Sequence, residues 1–135
     1  MCLHINRNQK PEIATEPIVC YKCLTRDMLS PCYRQKYELG QLITSEFSID
    51  KSYCDEVEKV EKGLHSFANE FEAKYIAKDF CWWNQIFGYP GEHAPVVVKC
   101  IIPKGATYYK AESMTIGVSY EYASNQLIPL EIISK

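Results

Sequence analysis

Long apolar runs are missing from this sequence. No stretch approaches the roughly 20 apolar residues that a bilayer-spanning helix needs. Residues 1–7 also lack the apolar centre that is found in a signal peptide. We therefore expect a cytoplasmic protein that has no membrane partner.

An excess of positive charge is missing too. Fifteen lysines and arginines stand against 17 aspartates and glutamates, which gives a formal net charge of -2 at pH 7. Proteins that bind nucleic acid usually present a basic face to the phosphates, so we expect no nucleic-acid partner. The chain has seven cysteines, an odd number that cannot all pair internally, and in a reducing compartment we expect mostly free thiols.

Aromatic side chains are plentiful. They make up 13% of the 135 residues, and ten of them are tyrosines. Tyrosine is common in β-rich cores, and it also forms flat surfaces on which ligands stack, so the composition leaves both uses open. The length fits one domain, which we place at residues 17–135 after a patternless N-terminal tail at residues 1–16.

The most strongly patterned stretch is residues 96–102. Its side chains alternate with period two, as in a half-buried β-strand, and the side that includes Val96 and Ile102 is entirely apolar. Pro103-Lys104-Gly105 then predicts a turn. We interpret this stretch as the central strand of a sheet.

Other strands are predicted on the same grounds over residues 18–24, 114–122 and 127–133, with a weaker one over 37–44. Residues 57–62 could form either a short strand or an extended connection. In the predicted strand at residues 127–133, alternation predicts that Ile128, Leu130 and Ile132 are buried. Pro129 cannot donate a ladder hydrogen bond, so this strand should lie at an edge or carry a bulge.

One helix is predicted after residue 69. Asn69 is suited to the N-cap, with Glu72 three residues later as in a capping box. An apolar stripe follows at helical spacing, formed by Ala73, Ile76, Ala77 and Phe80. The expected fold class is therefore α+β, with a mostly antiparallel, twisted sheet of about five or six strands and one main helix packed on it.

Few residues form a pattern that is specific for chemistry. Cys20 and Cys23 have the spacing of a zinc or redox pair, but in a strand these positions point to opposite faces, so we expect structural thiols and no metal. His65 and Ser66 come just before the helix, whose N-terminal N–H groups suit an anionic ligand. The alternative is a histidine bonded to the backbone beside a serine in a local turn.

Several other residues could contact a ligand. Lys104 lies in the predicted turn, Tyr108 and Tyr109 point to opposite faces of the next strand, and Trp82 and Trp83 begin a loop rich in proline and glycine. The tryptophans could close the core, form an oligomer interface or line a ligand pocket, and the sequence does not rank these uses.

The order of short motifs resembles a group of small proteins encoded by bacteriophages and mobile elements of gut bacteria. The shared motifs are Cys20-Tyr21-Lys22, Gly63-Leu64-His65-Ser66-Phe67 before the helix, Ile102-Pro103-Lys104-Gly105 with Tyr108-Tyr109, and Ala123-Ser124-Asn125. The resemblance covers roughly residues 18–133 and implies a phage origin; no activity is established for the group.

The same order is similar, more loosely, to the ADP-ribosyltransferase fold. Those enzymes have a catalytic glutamate near the last strands, where this chain has Ser124, Asn125 and Gln126. Glu121 and Glu131 are nearby but not at the matching place. The resemblance therefore implies a cleft that binds a nucleotide without reacting on it.

From these features we expect a phage counter-defence protein without a cofactor, which binds and sequesters a nucleotide-derived messenger of bacterial immunity. Such sites are often shared between subunits, so we expect a homo-oligomer. The predicted ligand-binding residues are Tyr21, Lys22, His65, Ser66, Trp82, Trp83, Lys104 and Tyr109. The alternatives are an inhibitor that binds a host defence protein through the loop at residues 82–89 and a degenerate ADP-ribosyltransferase-like enzyme.

Overall fold

The computed structural model describes residues 3–30, 35–51, 56–78, 96–112 and 119–134. Within these ranges the chain forms eleven strands and one helix. In chain order they are β1 (Leu3–Asn6), β2 (Glu12–Ile13), β3 (Ile18–Leu24), β4 (Ile43–Thr44), β5 (Ser48–Asp50), β6 (Val57–Lys62), β7 (Leu64–Phe67), α1 (Glu70–Lys78), β8 (Val96–Ile102), β9 (Thr107–Glu112), β10 (Tyr120–Ser124) and β11 (Gln126–Ser134).

The prediction of an α+β fold with five or six strands and a main helix is wrong, because the protein is mostly β. The predicted helix exists but is only nine residues long. The strands that were missed are short: β2 has two residues, β5 has three, and β1 and β7 have four each. Strands of this length contain too few residues for a clear alternation. Of the weaker strand predicted over residues 37–44, only β4 is formed.

The strands form two antiparallel sheets. The large sheet has eight strands in the order β2-β9-β10-β7-β3-β8-β11-β4, and the small sheet has three in the order β1-β6-β5. The small sheet includes Leu3 and Ile5 of the predicted N-terminal tail, which pair with β6 and are almost completely buried.

The predicted strand at residues 96–102 is confirmed as β8, which lies between β3 and β11. Its even-numbered side chains point to one side of the large sheet, here called the inner face, together with Cys20, Leu64 and Tyr122. Tyr37 covers part of this face and is 1% exposed. Val97 points to the opposite side, the outer face, and is buried as well. Covering on both sides explains why this strand is apolar almost throughout.

The outer face is covered by two elements. Helix α1 packs Ala73 and Ile76 against Phe67 and Val97. Its N-cap is confirmed, because the Phe71 backbone N–H donates to Asn69 Oδ1 at 2.7 Å. The small sheet covers a second area, where its side chains Leu3, Ile5 and Val60 pack on Ala123. No helix in the described part of the chain is long and apolar enough to cross a membrane.

The side chains predicted to be buried in the last strand are not the ones that the structure buries. Leu127 is fully buried, whereas Leu130 and Ile132 are 42% and 37% exposed. The burial is already opposite to the prediction at Leu127, which packs in the inner-face core before any irregularity. The pairing of β11 with β8 then shifts between Pro129 and Glu131, which is the bulge expected at this proline. Because a one-residue shift moves later side chains to the other face, no single alternation runs through β11.

Candidate functional site

A groove of about 760 Å³ lies between the small sheet and one margin of the large sheet. It runs along two strand edges. Strand β1 is the edge strand of the small sheet, and among the described residues β2 pairs with β9 at Thr107 and Tyr108 and at no later residue of that strand. The residues that line the groove are His4, Ile5, Asn6, Gln9, Glu12, Val57, Lys110, Ala111, Glu112 and Tyr120.

Gln9 connects the two sheets across the groove. Its side-chain Nε2 donates to the backbone oxygen of Lys110 at 2.9 Å, and its Oε1 accepts from the backbone N–H of Asn6 at 3.0 Å. A further hydrogen bond holds the same turn, because the Asn8 backbone N–H donates to Glu58 Oε1 at 2.8 Å. The residues that form this wall of the groove are therefore held in place by defined hydrogen bonds.

Tyr120 presents a flat surface in the groove. It belongs to β10 and is 45% exposed. The Lys110 ammonium lies 4.1 Å from the centre of the Tyr120 ring, which is the geometry of a cation–π contact. This contact orients both the ring and the charge.

Carboxylates flank Lys110. Glu112 lies two residues further along β9, on the same face and roughly 7 Å away. Glu12 lies diagonally across from Lys110, because it pairs with Tyr108. Both glutamates are exposed. In water, unit charges interact by about 1 kcal/mol at 4 Å and about 0.6 kcal/mol at 7 Å. A phosphate at Lys110 would thus be attracted by the ammonium and repelled by the two carboxylates.

Lys22, one of the predicted ligand-binding residues, lies in the interior. It is 7% exposed, and its ammonium donates to the backbone oxygen of His65 at 2.5 Å. The same ammonium lies 5.3 Å from the centre of the Tyr37 ring. Both contacts are internal to the fold, and Lys22 does not line the groove.

His65 is held by the backbone on both sides of its ring. Nδ1 lies 3.1 Å from Gly63 O, and Nε2 lies 3.2 Å from Val60 O. Burial, assisted by the nearby Lys22 charge, lowers the pKa of His65 to about 4, so the ring is neutral at pH 7. Ser66 is 1% exposed, and its hydroxyl lies beside the Cys20 thiol.

The remaining predicted residues are dispersed. Tyr21 packs on the outer face with the α1 cluster, and Tyr109 lies between the sheets, edge-on to Phe47 at 5.1 Å. Lys104 is exposed in the turn between β8 and β9. Trp82 and Trp83 lie outside the described residues. The structure therefore brings together Lys22, His65 and Ser66, and separates them from the others.

The separation of Lys104 from His65 follows from strand register. Tyr21 pairs with both Phe67 and Lys99, so these three residues lie on one line across the sheet. His65 lies two residues from this line in one direction, and Lys104 lies five residues from it in the other. At about 3.3 Å per residue, roughly 23 Å of sheet lies between them.

Cys20 and Cys23 point to opposite faces, as predicted, and contribute to different core clusters. Burial raises the pKa of each thiol to about 12. Among the described residues, no group of three or more histidine, cysteine, aspartate or glutamate side chains is arranged to hold a metal ion.

Sequence reasoning missed the groove because half of it comes from the predicted tail. The usable signal was small: Leu3 and Ile5 alternate with His4 and Asn6, which is a four-residue strand pattern. Tyr120 was placed in a strand, but nothing local to it indicates that its ring lies beside Lys110.

No family model, curated protein or solved structure matches this chain.

Proposed function

We propose that this protein binds a small nucleotide-derived ligand in the groove and sequesters it without cleaving it. The observation that supports this best is the exposed Tyr120 ring, fixed by Lys110 at 4.1 Å and placed in a groove of about 760 Å³. A volume of this order suits a ligand of nucleotide size. A base would stack on the free side of the ring.

The polar side chains around the ring supply hydrogen bonds of both kinds. Asn6 and Gln9 offer amide groups, and the glutamates offer acceptors for sugar hydroxyls. Because the Gln9 amide is already bonded to the backbone on both sides, the groove needs little rearrangement to receive a ligand.

Sequestration without cleavage is favoured by the distribution of charge. Phosphoryl transfer needs cations that converge on the reacting phosphate. Lys110 is the one lysine or arginine among the described residues that line the groove, and its ammonium already contacts Tyr120. Such a groove can hold a ligand but offers little positive charge to stabilise the negative charge that develops during phosphoryl transfer.

In an infected bacterium, a protein of this kind would lower the free concentration of an immune messenger. This part of the proposal depends on the resemblance to phage-encoded proteins. We also propose a homo-oligomer, because sites of this kind are often shared between subunits, and a location in the cytoplasm of the host.

The test is thermal stabilisation by a panel of nucleosides, nucleotides, cyclic dinucleotides and ADP-ribose derivatives. A ligand at 100 times its Kd stabilises the fold by about 2.7 kcal/mol. Tyr120→Ala should abolish the effect. Tyr75→Ala is the matched control, because Tyr75 is 53% exposed on α1 and does not line the groove.

The ligand recovered after heat denaturation should be intact, and a cleaved product would point to an enzyme. Absence of stabilisation by every compound of the panel would remove the proposal.

A second candidate is a protein-binding inhibitor of a host defence enzyme. Phe71 and Tyr75 lie one turn apart on α1 and are 67% and 53% exposed, which is typical of an aromatic anchor. The loop first considered for this role, residues 82–89, lies outside the described residues. In a phage-protection assay, loss of function in Phe71→Ala/Tyr75→Ala, with Tyr120→Ala unaffected, would favour the inhibitor over the sequestering protein.

A further inference from the structure

The groove carries its charges in an order that discriminates between parts of a nucleotide. Lys110 stands between two exposed carboxylates, Glu112 along β9 and Glu12 across from it on β2. The described residues that line the groove include one lysine and two glutamates. Any phosphate that approaches Lys110 therefore also approaches two negative charges.

The same carboxylates suit a different part of the ligand. A carboxylate accepts hydrogen bonds and donates none, so it matches the hydroxyl donors of a ribose. Glu112 pairs directly with Tyr120 across β9 and β10, so the two side chains are neighbours on one face of the sheet. The Tyr120 ring is the one proposed to stack on the base. Base and ribose are adjacent in every nucleoside, as the ring and the carboxylate are here.

We propose that the groove recognises the nucleoside part of its ligand, with the base on Tyr120 and the ribose hydroxyls on Glu112 or Glu12, and that it disfavours clustered phosphates. This inference rests on the proposed function and narrows it: the ligand presents a nucleoside, and its phosphates extend away from the groove.

The experiment is isothermal titration calorimetry with the four common ribonucleosides, their 5′-monophosphates and their 5′-triphosphates, at 50 and 300 mM NaCl. For the base that binds, we expect the nucleoside to bind at least as tightly as its triphosphate. The affinity of the nucleoside should change less than twofold with salt. The 2′-deoxynucleoside should bind at least fivefold more weakly.

Charge removal gives the sharper test. Glu12→Gln/Glu112→Gln should tighten triphosphate binding at least threefold and weaken nucleoside binding at least threefold. Opposite signs in one variant cannot come from a folding defect. Glu38→Gln is the control, since Glu38 is exposed and does not line the groove; it should change neither affinity.

The outcomes separate the two proposals. If affinity rises with each added phosphate and falls with salt, the nucleoside inference is overturned while the proposed function stands. If none of these compounds binds, the nucleoside inference is overturned, and the proposed function is then decided by thermal stabilisation with the cyclic dinucleotides and ADP-ribose derivatives. If Glu12→Gln/Glu112→Gln moves both affinities in the same direction, the assigned role of the carboxylates is wrong.

Discussion

The Lys22 ammonium donates to the backbone oxygen of His65, so the two residues that the sequence suggested as ligand contacts are hydrogen-bonded to each other inside the protein. Lys22 belongs to β3 and His65 to the neighbouring β7. A buried charge must be compensated, and here the compensation comes from a carbonyl and from the Tyr37 ring. This arrangement gives Lys22 a structural role whether or not a ligand binds elsewhere.

Two replacements of Lys22 should separate the contribution of its charge to stability from the contribution of its packing. Lys22→Met keeps a long side chain and removes the buried ammonium, so the free energy of unfolding should change by less than about 1 kcal/mol. Lys22→Ala removes buried methylene groups and should cost about 2–4 kcal/mol. Urea denaturation of both variants measures the difference. If the methionine variant is as unstable as the alanine variant, the hydrogen bond to His65 is essential.

Stability should fall in mild acid because of His65. Its pKa is about 4 in the folded protein and 6.5 in the unfolded chain. Between these values the unfolded state binds a proton that the folded state does not, so stability is complete above pH 6.5 and is lost as pH falls towards 4. From pH 7 to pH 5 the expected loss is about 2 kcal/mol.

His65→Gln, which keeps hydrogen-bonding capacity without titrating, is the control for this effect. Chemical denaturation at pH 7, 6 and 5 should show a flatter dependence for this variant. Parallel curves for the two proteins would contradict the assignment.

Gly63 should not tolerate a side chain. It joins β6 of the small sheet to β7 of the large sheet at a φ of 155°, and an added Cβ would lie 3.2 and 3.3 Å from two carbon atoms of the Phe47 ring. Gly63→Ala should therefore cost about 1–3 kcal/mol.

A double-mutant cycle with Phe47→Leu separates the two causes of this cost. If ring contact dominates, the double variant should recover part of the loss; full additivity would attribute the cost to backbone strain alone.

The three described cysteines should be unreactive in the folded protein. Cys20, Cys23 and Cys100 are buried, and burial raises the pKa of all three thiols, so at pH 8 about one in ten thousand or fewer is ionised. A variant in which the other four cysteines are replaced by serine leaves these three as its only thiols. It should react with Ellman's reagent only as fast as it unfolds, and rapid labelling of the folded protein would contradict the burial.

Local sequence determined the elements whose pattern repeats. Alternation defined β3 and β8 to the residue, and Asn69 with its apolar stripe defined the start of α1, since period and capping are properties of neighbouring residues. The opposite orientation of Cys20 and Cys23 followed from the same rule.

Tertiary structure decided what local pattern cannot encode. Leu3 and Ile5 become core residues only because β1 pairs with a strand more than fifty residues away, and that pairing also brings His4 and Asn6 to the groove that Lys110 and Tyr120 line. Such pairings depend on packing between distant segments, and the pattern of one strand does not specify which other strand it pairs with. The surroundings of the Lys22 charge were fixed in the same way.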